Sequence, residues 1–249
     1  MKPLETPHLP SSPVNAIIMA GDSKTYIKAL QTLNIEVLVT QRNEALEEAT
    51  SYHADMLSFH QGYLDILLAP EQTFVCEKLC DLGFRPYITN KTIKSPYPED
   101  ALLNGARVGQ YLVCNPKTIS GIIMSDALMK GLELVSVRQG YTKCSICIIS
   151  ESAIITEDTG IQKECQKKGI DTLLISKGSV KLKNHAYGFL GGCTGLIDRS
   201  KLAVCGNIKN HKDYLVIDRF LTKHHVEPIC LTDGELVDIG GILPITQIY

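Results

Sequence analysis

Residues capable of acid–base or nucleophilic chemistry cluster in a few short stretches of the sequence. His53, Asp55 and His60 lie within "HADMLSFH", and Cys144 follows Lys143 in "RQGYTKCS". A thiol, an imidazole and a carboxylate are groups that serve in nucleophilic catalysis, because sulfur must lose its proton before it attacks and a base must accept that proton. The candidate site residues are His53, Asp55, His60, Asn104, Arg138, Tyr141, Lys143, Cys144, His185, Cys193 and Asp238.

Cys144 is the candidate nucleophile. Arg138 and Lys143 precede it closely, and nearby cations favour the thiolate. Alternate residues of a strand face opposite sides, however, so Lys143 and Cys144 need not share a face. Burial as a small apolar side chain is the alternative role of Cys144. Cys147 completes the one C-x-x-C pair, but no second pair follows at zinc spacing, and we therefore expect no metal site.

The other candidates also have structural alternatives. Asp55 either contacts a ligand or pairs within the fold, and His53 and His60 fit the role of structural histidines. Asn104 precedes a glycine, where an Asx turn is the ordinary role. The stretch "GFLGGCTG" around Cys193 resembles a dinucleotide-binding loop, but a strand follows it where a helix is needed, so we reject that function.

Composition excludes several classes of protein. The chain has 249 residues, 44% of them hydrophobic, and a net charge of -2 with acidic and basic residues interleaved. No basic stripe predicts a nucleic-acid partner, and no apolar run is long enough to cross a bilayer. Residues 1–14 contain prolines and charges but no apolar signal-peptide core, so we expect an N-terminal arm. Nine cysteines without an export signal predict reduced thiols in a cytoplasmic protein, and nothing in the sequence requires a cofactor.

Five segments of the chain share one order of elements: an apolar strand, a helix, and a second strand entered through a short turn. They begin at Ile17, Ile66, Tyr111, Ala153 and Leu202, at intervals of about 42 to 49 residues. Asp158 is placed to cap the fourth helix. Gly83, Gly131 and Gly169 fit the left-handed conformation that ends many helices.

A further strand precedes four of these segments, and "DIGGILPITQIY" at the end of the chain supplies the fifth. Proline lacks the N–H of a sheet ladder, so Pro244 belongs at an edge, a bulge or a strand start. We predict that this tail strand pairs beside the first segment and closes a ring with no open sheet edge. The predicted fold is one α/β domain over residues 15–249, a five-fold pseudo-symmetric propeller of ββαβ units closed by the C-terminal strand. A doubly wound open sheet is the alternative.

Five such units closed by a terminal strand resemble the pentein superfamily, also called the guanidine-modifying-enzyme fold. Its members include amidinotransferases, arginine and agmatine deiminases, dimethylarginine hydrolases and a ribosome anti-association factor. Two motifs carry the resemblance: residues 53–56, "HADM", are similar to a stretch of the second unit, and residues 238–242, "DIGGI", to the stretch before the terminal nucleophile. Together, "RQGYTKCS", "YGFLGGCTG" and "DIGGILP" resemble a narrower branch that is known only as a domain of unknown function.

The resemblance implies a cysteine nucleophile in the terminal strand, a histidine base in an inner strand, and carboxylates that bind a guanidinium. This chain departs from that pattern twice. Pro244 stands at the place of the nucleophile, and the place of the base falls near Tyr141, where there is no histidine. The substrate carboxylate is retained as Asp55. The acidic pair that often follows in the superfamily falls on His60 and Gln61, neither of which is acidic.

Three functions therefore remain open. The first is non-catalytic binding of a small cationic or zwitterionic ligand in an axial pocket. The second is a hydrolase or transferase acting on an amidino or guanidino C–N bond, with Cys144 as a relocated nucleophile. The third is a ribosome- or protein-binding module. The predicted ligand-binding residues are Asp55, His53, His60, Asn104, Arg138, Tyr141, Lys143 and Asp238.

Overall fold

The computed structural model describes residues 2–248, so the first residue of the predicted arm and the last residue of the predicted domain lie outside it. In the described part, the elements repeat the order strand, strand, helix, strand. Up to residue 136 they are β1 (Lys2–Pro3), β2 (Val14–Ala20), α1 (Lys24–Thr32), β3 (Glu36–Thr40), α2 (Ala54–Leu57), β4 (Ser58–Gly62), β5 (Asp65–Leu68), α3 (Thr73–Asp81), β6 (Arg85–Ile88), β7 (Ala106–Val108), β8 (Tyr111–Cys114), α4 (Gly121–Met129) and β9 (Glu133–Ser136). Further on they are β10 (Ile146–Ser150), β11 (Ala153–Thr156), α5 (Thr159–Lys167), β12 (Asp171–Leu174), β13 (Val180–Lys181), β14 (Thr194–Asp198), β15 (Lys201–Val204), α6 (Tyr214–Lys223), β16 (Glu227–Cys230), β17 (Leu236–Val237) and β18 (Leu243–Gln247).

Separate sheets contain the repeated units. Four of them have the orders β4-β5-β6, β7-β8-β9, β10-β11-β12 and β14-β15-β16, and a fifth has the order β1-β18-β2-β3. Within each unit an antiparallel pair is followed by a parallel pair, which confirms the predicted extra strand before each strand–helix–strand segment. Each sheet is open, so the prediction that no open edge remains is wrong: every unit forms its own ladder instead of joining a continuous one.

The tail strand pairs with the first unit, as the sequence predicts. β18 runs antiparallel to β2, with Leu243 opposite Ile18 and Pro244 opposite Ile17. The register shifts between Pro244 and Thr246, and β1 pairs only with the last two residues of β18. Pro244 therefore lies directly beside a bulge, which is one of the places where a strand tolerates a residue without an N–H.

Local signals explain where the helices begin and end. Asp158 caps α5 by accepting a hydrogen bond from the backbone N–H of Ile161, as predicted. Ile161 and Cys165 lie one turn apart on α5 and are both buried, which places the apolar face of the helix on the core. A residue with positive φ follows each of the five longer helices, and these residues are Asn34, Gly83, Gly131, Gly169 and His225. The left-handed helix ends predicted at the three glycines are confirmed.

All four inner strands begin later than the sequence indicates; the third-unit strand, predicted from Asp100, begins at Ala106. Residues 54–57 form α2, and the strand that follows begins only at Ser58. A turn holds Cys144 in front of β10, which begins at Ile146. A 3-10 turn over Leu190–Cys193 precedes β14. Local backbone hydrogen bonds replace ladder bonds in these segments, so the alternation of strand faces does not apply to Lys143 and Cys144.

The helices bury their apolar faces against the sheets, and the site is built from the segments between these elements. Leu30 of α1, Leu79 of α3 and Ile217 of α6 are fully buried. All nine cysteines are free thiols. Within residues 2–248, no helix has both the length and the apolar character that a membrane span needs.

Candidate ligand-binding site

Asn104 joins three units at a buried point. Its Oδ1 accepts hydrogen bonds from the backbone N–H groups of Lys143, at 2.7 Å, and Cys144, at 3.3 Å. Its Nδ2 donates to the backbone carbonyl of Asp55 at 3.1 Å and to Cys144 Sγ at 3.2 Å. This side chain therefore forms hydrogen bonds with residues that are distant in the sequence, and it does not form an Asx turn. One amide fixes both the turn that carries Cys144 and the helix that carries Asp55.

The thiol of Cys144 lies against the carboxylate of Asp55. Sγ donates a hydrogen bond to Asp55 Oδ2 at 3.0 Å, and both residues are buried. Burial raises the pKa of the thiol well above its usual value, and the negative charges of Asp55 and Asp238 raise it further. The thiol is therefore neutral near pH 7, and a cation beside it is needed to favour the thiolate.

His53 stands between this thiol and a second buried carboxylate. Its Nδ1 lies 3.9 Å from Asp238 Oδ1. One potential ligand atom from each of His53, Asp55 and Cys144 lies within 4.8 Å of the other two. Both carboxylate oxygens of Asp238 accept backbone N–H bonds, which fix its position. Burial raises the pKa of Asp238; the nearby His53 lowers it in part, and the charge of Asp55 raises it.

Two glycines let the backbone approach these side chains closely. A Cβ at Gly192 would clash with the carboxylate of Asp238, and a Cβ at Gly240 would clash with Cα and Cβ of His53. Gly240 also has a φ of +75°, which residues with a side chain rarely adopt. The glycines of the "GGC" and "DIGG" motifs are therefore required by the packing around His53 and Asp238.

A cavity of about 590 Å³ opens onto the buried residues just described. Five lining residues are buried, and we call three of them, His53, Cys144 and Asp238, the floor of the cavity. Carboxylates exceed cationic groups among the lining residues, since Glu47 and Asp100 add to Asp238. The cavity therefore favours a positively charged occupant.

Four aromatic side chains form the walls of the same cavity. The rings of Tyr97 and Tyr141 lie 5.6 Å apart, and those of Tyr187 and Phe189 lie 6.0 Å apart in an edge-to-face arrangement. Tyr141 Oη donates to Asp100 Oδ2 at 2.7 Å, so an acidic group and an aromatic ring are held together. Aromatic faces attract planar cations, and we call these four residues the aromatic walls.

The structure brings some of the predicted residues to the cavity and places others behind it. Those that line it are His53, Tyr141, Cys144, His185 and Asp238. Asp55 and Asn104 lie behind Cys144, which they contact directly. Lys143 is buried, and its Nζ donates to the carbonyl of Gly191 at 3.1 Å. The carboxylate of Asp55 thus contacts the thiol of Cys144, and it is this thiol, not Asp55, that lines the cavity.

The remaining predicted residues do not line this cavity. His60 bonds through Nε2 to the carbonyl of Tyr63, and burial lowers its pKa to about 4, so it is neutral near pH 7. The side chain of Arg138 is exposed. Cys193 is buried, and its thiol donates to the carbonyl of Leu190. Pro244 lies within β18, outside the cavity lining.

Sequence reasoning identified Tyr141 but missed the other three residues of the aromatic walls, and it missed Asp100. Tyr97 and Asp100 come from the segment between β6 and β7, and Tyr187 and Phe189 from the segment after β13. These segments have no helical or strand periodicity to indicate which way a side chain points. The one available signal is the presence of a tyrosine and two acidic residues in "PYPED", which spans residues 96–100.

We expect Asp55→Asn to make Cys144 more reactive towards iodoacetamide. Removing the negative charge beside the thiol lowers its pKa, so more thiolate is present at a given pH. At pH 8 the labelling rate should rise by about 3- to 10-fold, because one pKa unit changes the thiolate fraction about tenfold. Mass spectrometry of the peptide that contains Cys144 measures this rate.

The labelling is best done in a serine background, in which Cys76, Cys80 and Cys230 are replaced by serine. These three cysteines are exposed or half-buried and would consume the reagent. Asp81→Asn is the control, since the side chain of Asp81 is 73% exposed. An unchanged rate in Asp55→Asn would show that Asp55 does not control the thiol.

Glu157 is a buried carboxyl group next to the 3-10 turn over Leu190–Cys193. Its Oε1 accepts a hydrogen bond from the backbone N–H of Leu190 at 2.8 Å, and burial raises its pKa from 4.5 to about 7. The folded protein favours the protonated form of Glu157. The free energy of unfolding is therefore highest, as far as this group is concerned, below pH 4.5, and it falls as the pH rises through 7 and Glu157 ionises.

We therefore expect Glu157→Gln, which keeps the acceptor, to be more stable than the unmodified protein at pH 8. The difference should be up to about 3 kcal/mol at pH 8 and close to zero at pH 4. Urea unfolding at both pH values measures it. The exposed Glu227→Gln is the matched control, and a Glu157→Gln difference that is the same at both pH values would contradict the titration.

The mixed α/β architecture of repeated ββαβ units is that of pentein-fold proteins. Solved structures that share it include the inosamine-phosphate amidinotransferase of Streptomyces griseus, at 9% identity over 99% of this chain and 98% of that chain, with a TM-score of 0.62. The agmatine deiminase of C. jejuni matches at 12% identity over 98% and 96% of the two chains, with a TM-score of 0.58. A dimethylarginine dimethylaminohydrolase matches at 11% identity over 88% and 93%, with a TM-score of 0.54. At these identities the likeness establishes the fold alone.

The chain belongs to the family of unknown function DUF6873, whose model matches residues 18–243. The predicted resemblance to the pentein fold is confirmed by these structures, and the predicted resemblance to a domain of unknown function is confirmed by the family match. A search of curated proteins finds no match for this sequence.

Proposed function

We propose that the protein binds a small cationic or zwitterionic molecule in the cavity, through a planar guanidinium or amidinium group, without the C–N chemistry of the superfamily's enzymes. The observation that carries this proposal is the combination of a carboxylate-rich lining with aromatic walls. Such a site provides acceptors for the N–H groups of the cation and faces for its plane.

The electrostatics of the lining support a cationic ligand. Burial raises the pKa of both Asp100 and Asp238, because each carboxylate loses hydration. Asp100 Oδ1 has no hydrogen-bond partner within residues 2–248. A bound cation would favour the ionised form of these groups and could supply a donor to Asp100 Oδ1.

The names of the structural relatives support a guanidinium group in particular. Agmatine and dimethylarginine, which appear in those names, each carry one. In this chain Pro244 stands where the superfamily pattern places a cysteine, and Tyr141, near the place of the base, bonds to Asp100. The residues that those enzymes need for catalysis are therefore replaced, while a cavity suited to the cation is retained.

We propose, further, that the five units stand in a ring around the site as a five-fold pseudo-symmetric propeller, in which each sheet keeps its own open edges. A circuit of hydrogen bonds supports it, because each unit bonds to the next around the site. Asp55 N donates to the carbonyl of Gly240, and Asn104 bonds to Asp55 and to the backbone of Lys143. Lys143 Nζ reaches the carbonyl of Gly191, and the adjoining Gly192 carbonyl accepts from the N–H of Gly241.

We also propose that the protein is cytoplasmic, because its nine cysteines are free thiols and reduced thiols are typical of that compartment.

Calorimetry with propylguanidinium and with propylurea tests the binding proposal. The two molecules have the same shape, and only the first is charged. We expect propylguanidinium to bind at least about 10-fold more tightly, since a hydrogen bond to a charged group contributes about 1.5–3 kcal/mol. Equal or absent binding of the two would contradict a cation site.

Variants locate the binding within the cavity. We expect Asp100→Asn to weaken propylguanidinium binding by about 10-fold, whereas the exposed Asp81→Asn should have no effect. Tyr97→Leu removes one aromatic ring without changing the charge of the cavity. It should therefore weaken the binding of propylguanidinium more than the binding of propylurea. Binding that survives in Asp100→Asn and Tyr97→Leu would place the cation elsewhere.

A second candidate function is hydrolysis or transfer at a C–N bond, and the 3.0 Å contact between Cys144 Sγ and Asp55 favours it. Asp55 would accept the thiol proton as sulfur attacks the amidinium carbon. The C–N bond would then break and the amine would leave with a proton, after which water would hydrolyse the thiouronium. The bound substrate cation would favour the thiolate that burial disfavours.

We expect no useful turnover of arginine, agmatine or methylated arginine, because the thiol is neutral and the superfamily's base is replaced. Release of ammonia, amine or urea products measures it. Turnover that disappears in Cys144→Ala would overturn this expectation and establish the second candidate. Cys193→Ala, which removes a buried thiol outside the cavity, is the matched control.

A further inference from the structure

Three side chains with different metal-binding atoms converge at the floor of the cavity and directly behind it. His53, Asp55 and Cys144 each place a potential ligand atom within 4.8 Å of the other two. All three are buried, with exposed fractions of 4%, 2% and 4%. In zinc sites, bonds of about 2.0–2.3 Å hold ligand atoms a few ångströms apart, so only small side-chain movements are needed here. In the sequence these residues have no zinc spacing, which is why no metal site is expected there.

Two atoms of the cluster have no partner in the protein. His53 Nδ1 and Asp55 Oδ1 are buried and form no hydrogen bond within residues 2–248. A buried polar group that is left unsatisfied costs about 1–3 kcal/mol. Such groups therefore indicate that something else occupies the site when it functions.

The charges of the cluster match a divalent ion. Asp55 and the thiolate of Cys144 together carry two negative charges, and His53 binds metals as the neutral imidazole. Nitrogen, oxygen and sulfur ligands select zinc and similar late transition metals over magnesium and calcium, which prefer oxygen. Binding releases one proton, from the thiol, and breaks its hydrogen bond to Asp55.

The surroundings supply the other parts of such a site. Asp238 Oδ1 lies 3.9 Å from His53 Nδ1, outside hydrogen-bond distance, and places a further acidic group beside the cluster. The cavity opens onto His53 and Cys144, which leaves a coordination position for water or a small molecule. We propose that His53, Asp55 and Cys144 form a Zn²⁺ site that opens into this cavity. The site shares the floor with the proposed ligand but does not depend on that ligand.

Titration with Co²⁺, a spectroscopic substitute for zinc, tests the proposal. After removal of bound metal with a chelator, the serine background should bind one equivalent with a thiolate-to-cobalt absorption band in the near ultraviolet. Cys144→Ala should abolish the band, and Asp55→Asn and His53→Gln should each weaken binding by at least about 10-fold. Cys193→Ala should retain the band, because Cys193 lies outside the cluster. No band, or a band that persists in Cys144→Ala, would overturn the proposal.

A second measurement avoids substitutions at the cluster itself. Zn²⁺ should slow iodoacetamide labelling of Cys144 in the serine background by at least about 10-fold. Labelling that is unaffected by Zn²⁺ would also overturn the site. Neither measurement involves propylguanidinium, so failure of the metal site and failure of the cation-binding proposal are distinguished. If both hold, Zn²⁺ should reduce propylguanidinium affinity, because a bound dication repels an organic cation from the same floor.

Discussion

Alanine in place of Gly240 is expected to destabilise the protein by about 2–5 kcal/mol. The added Cβ would clash with the backbone and Cβ of His53, and the φ of +75° would strain any residue that has a side chain. The carbonyl of Gly240 accepts the N–H of Asp55, so a shift of this segment would also move α2. Urea unfolding measures the loss, and the melting temperature should fall by about 2–4 °C for each kcal/mol.

Gly83→Ala separates the two causes of this loss. Gly83 has a φ of +82°, close to that of Gly240, but a Cβ there would meet nothing within 4 Å. This variant should therefore lose only the backbone term, about 1–2 kcal/mol. Equal losses in the two variants would mean that close packing against His53 adds nothing, contrary to the structure.

Leucine in place of Asn104 is expected to cost about 3–5 kcal/mol. Leucine has nearly the same size, so the loss reports hydrogen bonding and not a cavity. It would leave the backbone N–H groups of Lys143 and Cys144 and the carbonyl of Asp55 without their partner. Each buried group left unpaired costs about 1–3 kcal/mol.

Asn90→Leu is the matched control, because Asn90 is exposed and should lose less than about 0.5 kcal/mol. Binding of propylguanidinium gives a second measurement on the same proteins. In Asn104→Leu it should be weakened even at temperatures where the variant is folded, since the turn that carries Cys144 loses its anchor. A loss in Asn104→Leu as small as that in Asn90→Leu would contradict the role of Asn104 in joining three units.

The architecture could be predicted because its signals are local and repeated. Each strand–helix–strand segment has its own apolar periodicity, and the helix ends at Gly83, Gly131 and Gly169 follow from backbone preference alone. The pairing of β18 with β2 was predictable from the one unit that lacked a first strand. The exact starts of the inner strands were not, because short helical turns such as α2 compete with extended structure at similar cost.

The site was only partly predictable, for a physical reason. The "DIGG" motif identified Asp238, and the "HADM" motif at residues 53–56 identified His53 and Asp55. Which groups meet depends on tertiary contacts, such as the bond between Asp55 and Cys144 across 89 positions of sequence. His60 and Arg138 have suitable chemistry but do not line the cavity. The aromatic walls lie on irregular segments, where sequence gives no direction for a side chain.

The pairing of β18 with β2 has a consequence for the order of folding. Four sheets connect strands that are close in sequence, whereas Thr246 meets Asn15 across 231 positions. Contacts between distant segments form slowly, because a long loop must close before any bond compensates for the entropy lost. Asp238 and Gly240 lie just before β18 and reach the floor with it. Ligand affinity should therefore appear only in the last kinetic phase of refolding, after most of the helical signal has recovered.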